Sequence, residues 1–174
     1  TTDENEVGKL FEKSCSVKKE YVGSEVYLRG LLEFSNVCRK NCFYCGIRSD
    51  NKQIHRYSIP DEEIKEIVLH AWKNNYGSMV FQSGERNDAV FIEHVIDILK
   101  YSKKITNNEI GITLSCGEQS EKTYQKLFDS GAHRYLLRIE TSNEALYYKI
   151  HPENETHSFK ARIEALRNLK KTGF

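Results

Sequence analysis

The chain has 174 residues, which is the size of a single domain. It carries 26 basic and 25 acidic side chains, a formal net charge of +1, and 39% of its residues are hydrophobic. A nucleic-acid-binding protein needs a clustered excess of basic residues, and a membrane span needs about 18 or more consecutive apolar residues. The sequence has neither feature, so we expect a folded domain with no nucleic-acid partner and no membrane partner.

Strand-like and helix-like segments alternate along the chain after a helical lead-in over residues 1–27. The four predicted strands are residues 28–35, 78–82, 109–115 and 134–139. The first helix opens at Pro60, and the second carries Phe91, Val95, Ile98 and Leu99 on one face. The third and fourth helices span residues 120–130 and 158–171, and each is followed by a glycine that suits a helix end. Four strand–helix units predict an α/β fold in which helices cover a parallel sheet.

The number of units predicts half of a barrel. A complete eight-fold (β/α) barrel takes about 250 residues, so residues 28–174 supply only its N-terminal four units. The chain also begins at Thr1 without an initiator methionine. We therefore expect a piece of a longer protein, with the C-terminal half of the barrel absent from this chain.

Polar motifs follow all four predicted strands. They are the cysteine-rich residues 38–45, Ser83-Gly84-Glu85, residues 115–118 and Glu140. The carboxyl ends of parallel strands meet at one edge of a sheet, where the chemistry of such folds is found. The sequence therefore predicts one site built from these four motifs.

Three of the five cysteines lie close together with the spacing Cys-x3-Cys-x2-Cys, as Cys38, Cys42 and Cys45. An odd number and a tight triplet do not suit a disulfide framework and favour a metal or cluster site in a reducing compartment. We therefore expect a cytoplasmic protein. Three thiolates on one loop can bind three irons of a cubane and leave the fourth iron open, unlike electron-transfer clusters with four cysteines.

A zinc site remains an alternative interpretation of the same loop. It needs a fourth protein ligand, for which His55 and Cys116 could be offered. No second cysteine pair or histidine pair has metal-ligand spacing. Cys15 and Cys116 have no motif around them, and the six histidines are expected at the surface or at helix caps.

Three longer runs carry a family resemblance: LEFSNVCRKNCFYCGIR over residues 32–48, QSGE over residues 82–85 and RYLLRIET over residues 134–141. They resemble the radical S-adenosylmethionine superfamily, in the branch of biotin synthase, methylornithine synthase and the HydE-type iron–iron hydrogenase maturases, and above all the maturases. The resemblance implies a TIM-like barrel, a [4Fe-4S] cluster and S-adenosylmethionine as cofactors, and reductive cleavage of that cofactor to a 5′-deoxyadenosyl radical. Its implied partners are a small-molecule or organometallic substrate, an external one-electron reductant and other hydrogenase maturation proteins.

The resemblance also implies roles for individual residues. It makes Cys38, Cys42 and Cys45 the cluster ligands and Arg162 the partner of the methionine carboxylate. The other implied contacts are Tyr44 with adenine, Gln82, Ser83, Gly84 and Glu85 with the methionine amino end, Glu140 with the ribose hydroxyls, and Thr113 and Ser115 with the substrate.

Structural alternatives stay open for these residues. Tyr44 could be an ordinary loop aromatic, Ser83 and Gly84 a strand-to-helix turn, Glu140 an ion-pair partner of Arg134 or Arg138, and Arg162 a solvated helix residue. Methylornithine synthase or biotin synthase chemistry is the alternative within the class. A non-catalytic iron–sulfur or zinc module is the alternative of another class, and it would have a fourth protein ligand and no cofactor binding.

Overall fold

The computed structural model describes residues 2–174, and four parallel strands form its single sheet in the order β1-β2-β3-β4. The strands are β1 (Arg29–Ser35), β2 (Ser78–Ser83), β3 (Gly111–Ser115) and β4 (Arg134–Tyr135). The helices are α1 (Glu4–Val22), α2 (Asp61–Lys73), α3 (Ala89–Ile105), α4 (Glu121–Asp129), α5 (Glu144–Ile150) and α6 (Phe159–Thr172), with a 3₁₀ turn at Glu155–His157. The predicted α/β half barrel of parallel strands and alternating helices is therefore confirmed.

Alternation along the strands separates a buried face of the sheet from an inner face. Apolar side chains on the buried face pack against α2, α3 and α4 and form the main core: Leu32, Phe34, Met79, Phe81, Ile112 and Leu114. On the inner face, Glu33, Gln82 and Ser115 lie in register across β1, β2 and β3. The register therefore places a row of polar side chains near the carboxyl ends of the strands.

Helix ends follow from local side-chain chemistry. The Asp88 carboxylate accepts a hydrogen bond from the backbone of Phe91 at the start of α3, and Ser158 does the same for α6. At the other end of α6, Gly173 has φ +95°, a left-handed conformation in which glycine is favoured. Gly131 after α4 has φ +109°. These positions confirm the predicted helix limits to within one residue.

Three local predictions differ from the structure. β4 pairs with β3 over only two residues, instead of spanning residues 134–139, because β3 ends at Ser115 and the chain turns away at Gly117 (φ +76°). Helix α5 was not predicted, since its seven residues are too few for a clear apolar repeat. In α6 the spacing of Phe159, Ile163, Leu166 and Leu169 in the sequence predicts one buried apolar face. The buried side chains are instead Arg162, Ala165, Leu169 and Thr172, so only Leu169 of that set is fully buried.

Helix α1 lies apart from this core and has no buried residue within its described length. Its first turn is capped by the Asp3 carboxylate, which accepts from the backbone amides of Asn5 and Glu6. Within residues 2–174, no helix combines the length and the apolar composition that crossing a lipid bilayer requires.

Candidate functional site

The three motif cysteines lie on the loop that follows β1 and line one cavity of about 400 Å³ at the carboxyl edge of the sheet. All three are free thiols and are partly accessible. The same cavity is lined by seven other residues that the sequence singled out: Tyr44, Gln82, Ser83, Gly84, Glu85, Ser115 and Arg162. Strands β1, β2 and β3 and helix α6 thus bring ten of the twelve candidate residues to one place.

The cysteine loop is held by backbone hydrogen bonds to three separate parts of the chain. Arg39 N donates to Glu85 O at 3.0 Å, and Phe43 N donates to Ile150 O at 3.0 Å. Between them, Asn41 N donates to Nε2 of His157 at 2.9 Å. These bonds hold the loop that carries the thiols against three other parts of the chain.

His157 and its neighbour His151 are both buried. His151 is the C-cap of α5, as the prediction allows, but the prediction that the histidines lie at the surface or at caps is wrong for His157. Nε2 of His157 accepts a hydrogen bond, which requires that this nitrogen carry no proton. Burial, together with the nearby Lys40 charge, lowers the pKa of His157 to about 4. The ring is therefore a neutral structural acceptor and not a surface group.

Gly84 is required by contact with the cysteine loop. A Cβ atom at this position would lie 2.4 Å from the carbonyl oxygen of Val37 and 2.7 Å from Cβ of Cys38. The close approach lets the backbone N–H of Glu85 donate to Sγ of Cys38 at 3.3 Å. A hydrogen bond to a ligand sulfur is one of the features by which proteins tune iron–sulfur clusters.

A buried charge network lies behind the cysteine loop. Lys40 Nζ is 2.9 Å from Oε2 of Glu118 and 3.3 Å from Oε1 of Glu85. Nε of Arg162 is 2.5 Å from Oε1 of Glu118, without hydrogen-bond alignment, and Nη2 is 3.8 Å from Oε2 of Glu85. The network joins the loops after β1, β2 and β3 to helix α6.

The network shows what Glu85 and Arg162 do in the folded chain. Glu85 also accepts from the backbone amide of Glu118 at 2.9 Å, and Arg162 donates to the carbonyl of Arg138 at 2.8 Å. Arg162 is thus a buried ion-pair partner and not a solvated helix residue. Both side chains still line the cavity, so the roles predicted for them toward the cofactor stay predictions.

Tyr44 and Glu140 form a second pair at the rim. The Tyr44 hydroxyl donates to Oε1 of Glu140 at 3.2 Å, and the Tyr44 ring packs edge-on against His151. Burial, assisted by the neighbouring Cys42 and Glu140 charges, raises the pKa of the Tyr44 hydroxyl. Glu140 lies outside the cavity lining and has φ +61°, a strained conformation for a residue with a side chain.

The two residues predicted to contact the substrate lie at different depths along β3. Ser115 lines the cavity, whereas Thr113 lies two residues earlier on the same face and outside the lining. Glu33 is a further lining residue that was not predicted, and its Oε1 accepts from Nε2 of Gln82 at 2.7 Å. The sequence could have indicated Glu33, because it lies two residues before the end of β1 and alternates with the buried Leu32 and Phe34. Lys40 was missed too, because a lysine in a polar loop resembles a solvated charge.

The donor atoms fit an iron–sulfur cluster. Cysteine thiolates are the usual ligands of such clusters, and three of them face one cavity. Across residues 2–174, no group of three or more histidine, cysteine and acidic side chains is close enough to share one metal ion. Thiolates that bind three different irons do not need that proximity. The described cavity lining includes neither His55 nor Cys116, the residues offered as a fourth zinc ligand.

A parallel α/β sheet with three free cysteines on the loop after its first strand defines a class of α/β proteins with a candidate cluster site at the carboxyl edge of the sheet. The sequence profile of the Radical SAM superfamily matches residues 32–174, and the chain belongs to this superfamily. Its members are enzymes that use a [4Fe-4S] cluster and S-adenosylmethionine.

Similar proteins are known within the superfamily. The chain is 43% identical over 166 residues to the [FeFe] hydrogenase maturase subunit HydE of Thermotoga maritima, covering 95% of this chain and 45% of that protein. It is 28% identical to the biotin synthase of Endomicrobium trichonymphae, covering 97% of this chain and 51% of that protein. The crystal structure of methylornithine synthase (PylB) superposes with a TM-score of 0.81 at 25% identity, covering all of this chain and 50% of that one. The chain thus spans about half the length of the curated relatives it matches.

Proposed function

We propose that this chain is the cofactor-binding half of a radical S-adenosylmethionine enzyme that acts in the assembly of the iron–iron hydrogenase active site. The observation that carries the proposal is the set of three free thiols that face one cavity, with a backbone N–H already directed at Cys38. When bound, a [4Fe-4S] cluster and S-adenosylmethionine supply reductive cleavage of the cofactor to a 5′-deoxyadenosyl radical.

In this proposal the chain's own residues bind and orient. Cys38, Cys42 and Cys45 hold three irons. Burial raises the pKa of the Cys42 thiol, and the Arg162 guanidinium acts in the opposite direction and favours the thiolate that a metal needs. The cofactor would lie along the edge formed by Tyr44, residues 82–85 and Glu140, with Arg162 toward its carboxylate.

The choice among related reactions rests on sequence similarity. The 43% identity to HydE exceeds the 28% identity to biotin synthase over nearly the same length of this chain. We therefore infer a small-molecule or organometallic substrate, an external one-electron reductant and other maturation proteins as partners. Free thiols throughout the described chain suit a reducing compartment such as the cytoplasm. Methylornithine synthase chemistry is the second candidate, favoured by the TM-score of 0.81.

The first experiment is anaerobic reconstitution of the full-length protein with iron and sulfide, followed by electron paramagnetic resonance with and without S-adenosylmethionine. We expect a cubane signal that shifts when the cofactor is added. Cys42→Ser should lose the signal, whereas the exposed Cys15→Ser should retain it. A cluster signal that does not respond to the cofactor would contradict the proposal and favour a closed four-ligand module.

The second experiment tests the pathway. The reconstituted full-length protein is added to a maturation mixture that contains apo-hydrogenase and lacks only a HydE-type component. Recovery of hydrogenase activity supports the assignment. Failure of that recovery, together with formation of a methylornithine, would overturn the hydrogenase role and leave the radical chemistry intact.

A further inference from the structure

Lys40 lies inside the cysteine motif, between Cys38 and Cys42, and its side chain is only 3% exposed. Lysine is among the residues that are almost never fully buried unless they are paired, because removing an ammonium from water is costly. Most loop lysines keep their charge in solvent. The burial of this one therefore indicates a role that depends on the charge being held at this place.

The ammonium of Lys40 contacts three separate segments. It forms ion pairs with Glu118 after β3 and Glu85 after β2, and it donates to the carbonyl of Thr156 in the 3₁₀ turn. These three partners match the three hydrogens of an ammonium group. All three ammonium hydrogens of Lys40 therefore have partners inside the protein. Its position is fixed relative to the cysteines on either side of it.

The charges of the network do not cancel. Its cationic members are Lys40, Arg162 and the partly exposed Arg39, which pairs with Glu85 at 3.2 Å. Its anionic members are Glu85 and Glu118 only, so one positive charge is in excess. Of these groups, Lys40, Arg162 and Glu85 line the same cavity as the three thiols, and the other two charged residues of the lining, Glu33 and Arg138, offset each other. The excess positive charge therefore lies beside the place where thiolates and a cluster would concentrate negative charge.

We propose that Lys40 is a positioning residue for the cluster loop whose charge also raises the reduction potential of the cluster. This inference rests on the proposed function, since it requires that the three cysteines hold a cluster. Adding an electron to a cluster increases its negative charge, and a fixed cation nearby stabilises the reduced form. The buried setting strengthens this effect, because few water molecules screen the interaction.

The test measures the midpoint potential of the reconstituted full-length protein by electron paramagnetic resonance during a redox titration without S-adenosylmethionine. Lys40→Gln removes the excess charge, and we expect a more negative midpoint. An order-of-magnitude change in the one-electron equilibrium, which corresponds to about 59 mV, is the expected size. Glu118→Gln adds to the excess positive charge and should move the midpoint in the opposite direction.

The double variant Lys40→Gln/Glu118→Gln restores the net charge of the network, so its midpoint should return toward that of the parent. Lys170→Gln on the exposed side of α6 is the matched control and should leave the midpoint unchanged. A merely structural role for Lys40 would change cluster content without this ordering of potentials. If Lys40→Gln fails to hold a cluster, the comparison of Glu118→Gln with the parent still decides, because both keep Lys40 and the inference requires a less negative midpoint in Glu118→Gln.

Equal midpoints in the parent, Lys40→Gln and Glu118→Gln would overturn the inference and leave the proposed function standing. The proposed function itself fails in a different way, namely when the parent assembles no cluster or its signal ignores S-adenosylmethionine. The two failures are therefore distinguishable within one set of samples.

Discussion

Asn41 and His157, which are 116 residues apart in sequence, are joined by a 2.9 Å hydrogen bond from the backbone amide of the first to Nε2 of the second. The bond ties the middle of the cysteine loop to the 3₁₀ turn before α6. On its other side, the His157 ring is oriented by Asn154 and Thr156 through Nδ1. The acceptor nitrogen is therefore held in place, and its protonation would break the bond.

This arrangement predicts an acid-sensitive fold. The pKa of His157 is lowered from 6.5 to about 4, first by burial and then by the Lys40 charge. Between these values the unfolded chain binds the proton more readily, so the stabilisation is present above about pH 6.5 and is lost as the pH falls toward 4. We expect a loss of about 3 kcal/mol across this window. His157→Gln, which keeps an acceptor, should flatten the curve of unfolding free energy against pH measured by urea denaturation.

Gly84→Ala should damage both folding and cluster assembly. The added methyl would lie 2.4 Å from the Val37 carbonyl oxygen, so the loop after β2 must move away from Cys38. We expect a loss of about 1–3 kcal/mol, typical of overpacking, and a lower iron content after reconstitution. Gly77→Ala is the control, because no atom lies within 4 Å of a Cβ there. Equal iron content in the two variants would show that the close approach is dispensable.

Most of the fold could be predicted from the sequence because the patterns that indicate its strands and helices are local. Strand limits in β1, β2 and β3 follow from short apolar runs that end in polar motifs, and the cap residues Ser158 and Gly173 mark α6. The parallel order then places the motif residues at one edge by geometry alone. The predicted length of β4 was too great, because its pairing depends on where the neighbouring strand β3 turns away.

The buried charges of the site could not be predicted from the sequence in the same way. Lys40, Glu118 and Arg162 come from three distant parts of the chain, and each has the local sequence surroundings of a surface residue. Their burial depends on mutual neutralisation that only the tertiary structure supplies. His157 was misjudged for the same reason, since its acceptor role depends on an amide 116 residues away.

Arg56 should be essential for the shape of the segment that follows the last cysteine. Its guanidinium donates to the carbonyls of Asn36, Ile47 and Arg48 at 2.7–2.8 Å. Arg56→Met leaves these partly buried carbonyls unpaired, and we expect a loss of about 2 kcal/mol or more in unfolding free energy. Arg167→Met on the exposed face of α6 removes one weak ion pair and should cost under about 1 kcal/mol. Thermal denaturation of the two variants under identical conditions measures the difference.

Glu140→Ala separates cofactor binding from cluster binding. Glu140 lies outside the cavity lining and accepts its hydrogen bond from Tyr44, so cluster content should stay at the parental level. Under the proposed contact of Glu140 with the ribose hydroxyls, loss of this charged acceptor should weaken S-adenosylmethionine binding by about tenfold or more, as for other hydrogen bonds to charged groups. Tyr44→Phe removes the hydroxyl that donates to Glu140 but keeps the aromatic ring, and it should weaken binding less. Cofactor titrations followed by electron paramagnetic resonance give both affinities, and an undiminished affinity in Glu140→Ala would show that the ribose is held elsewhere.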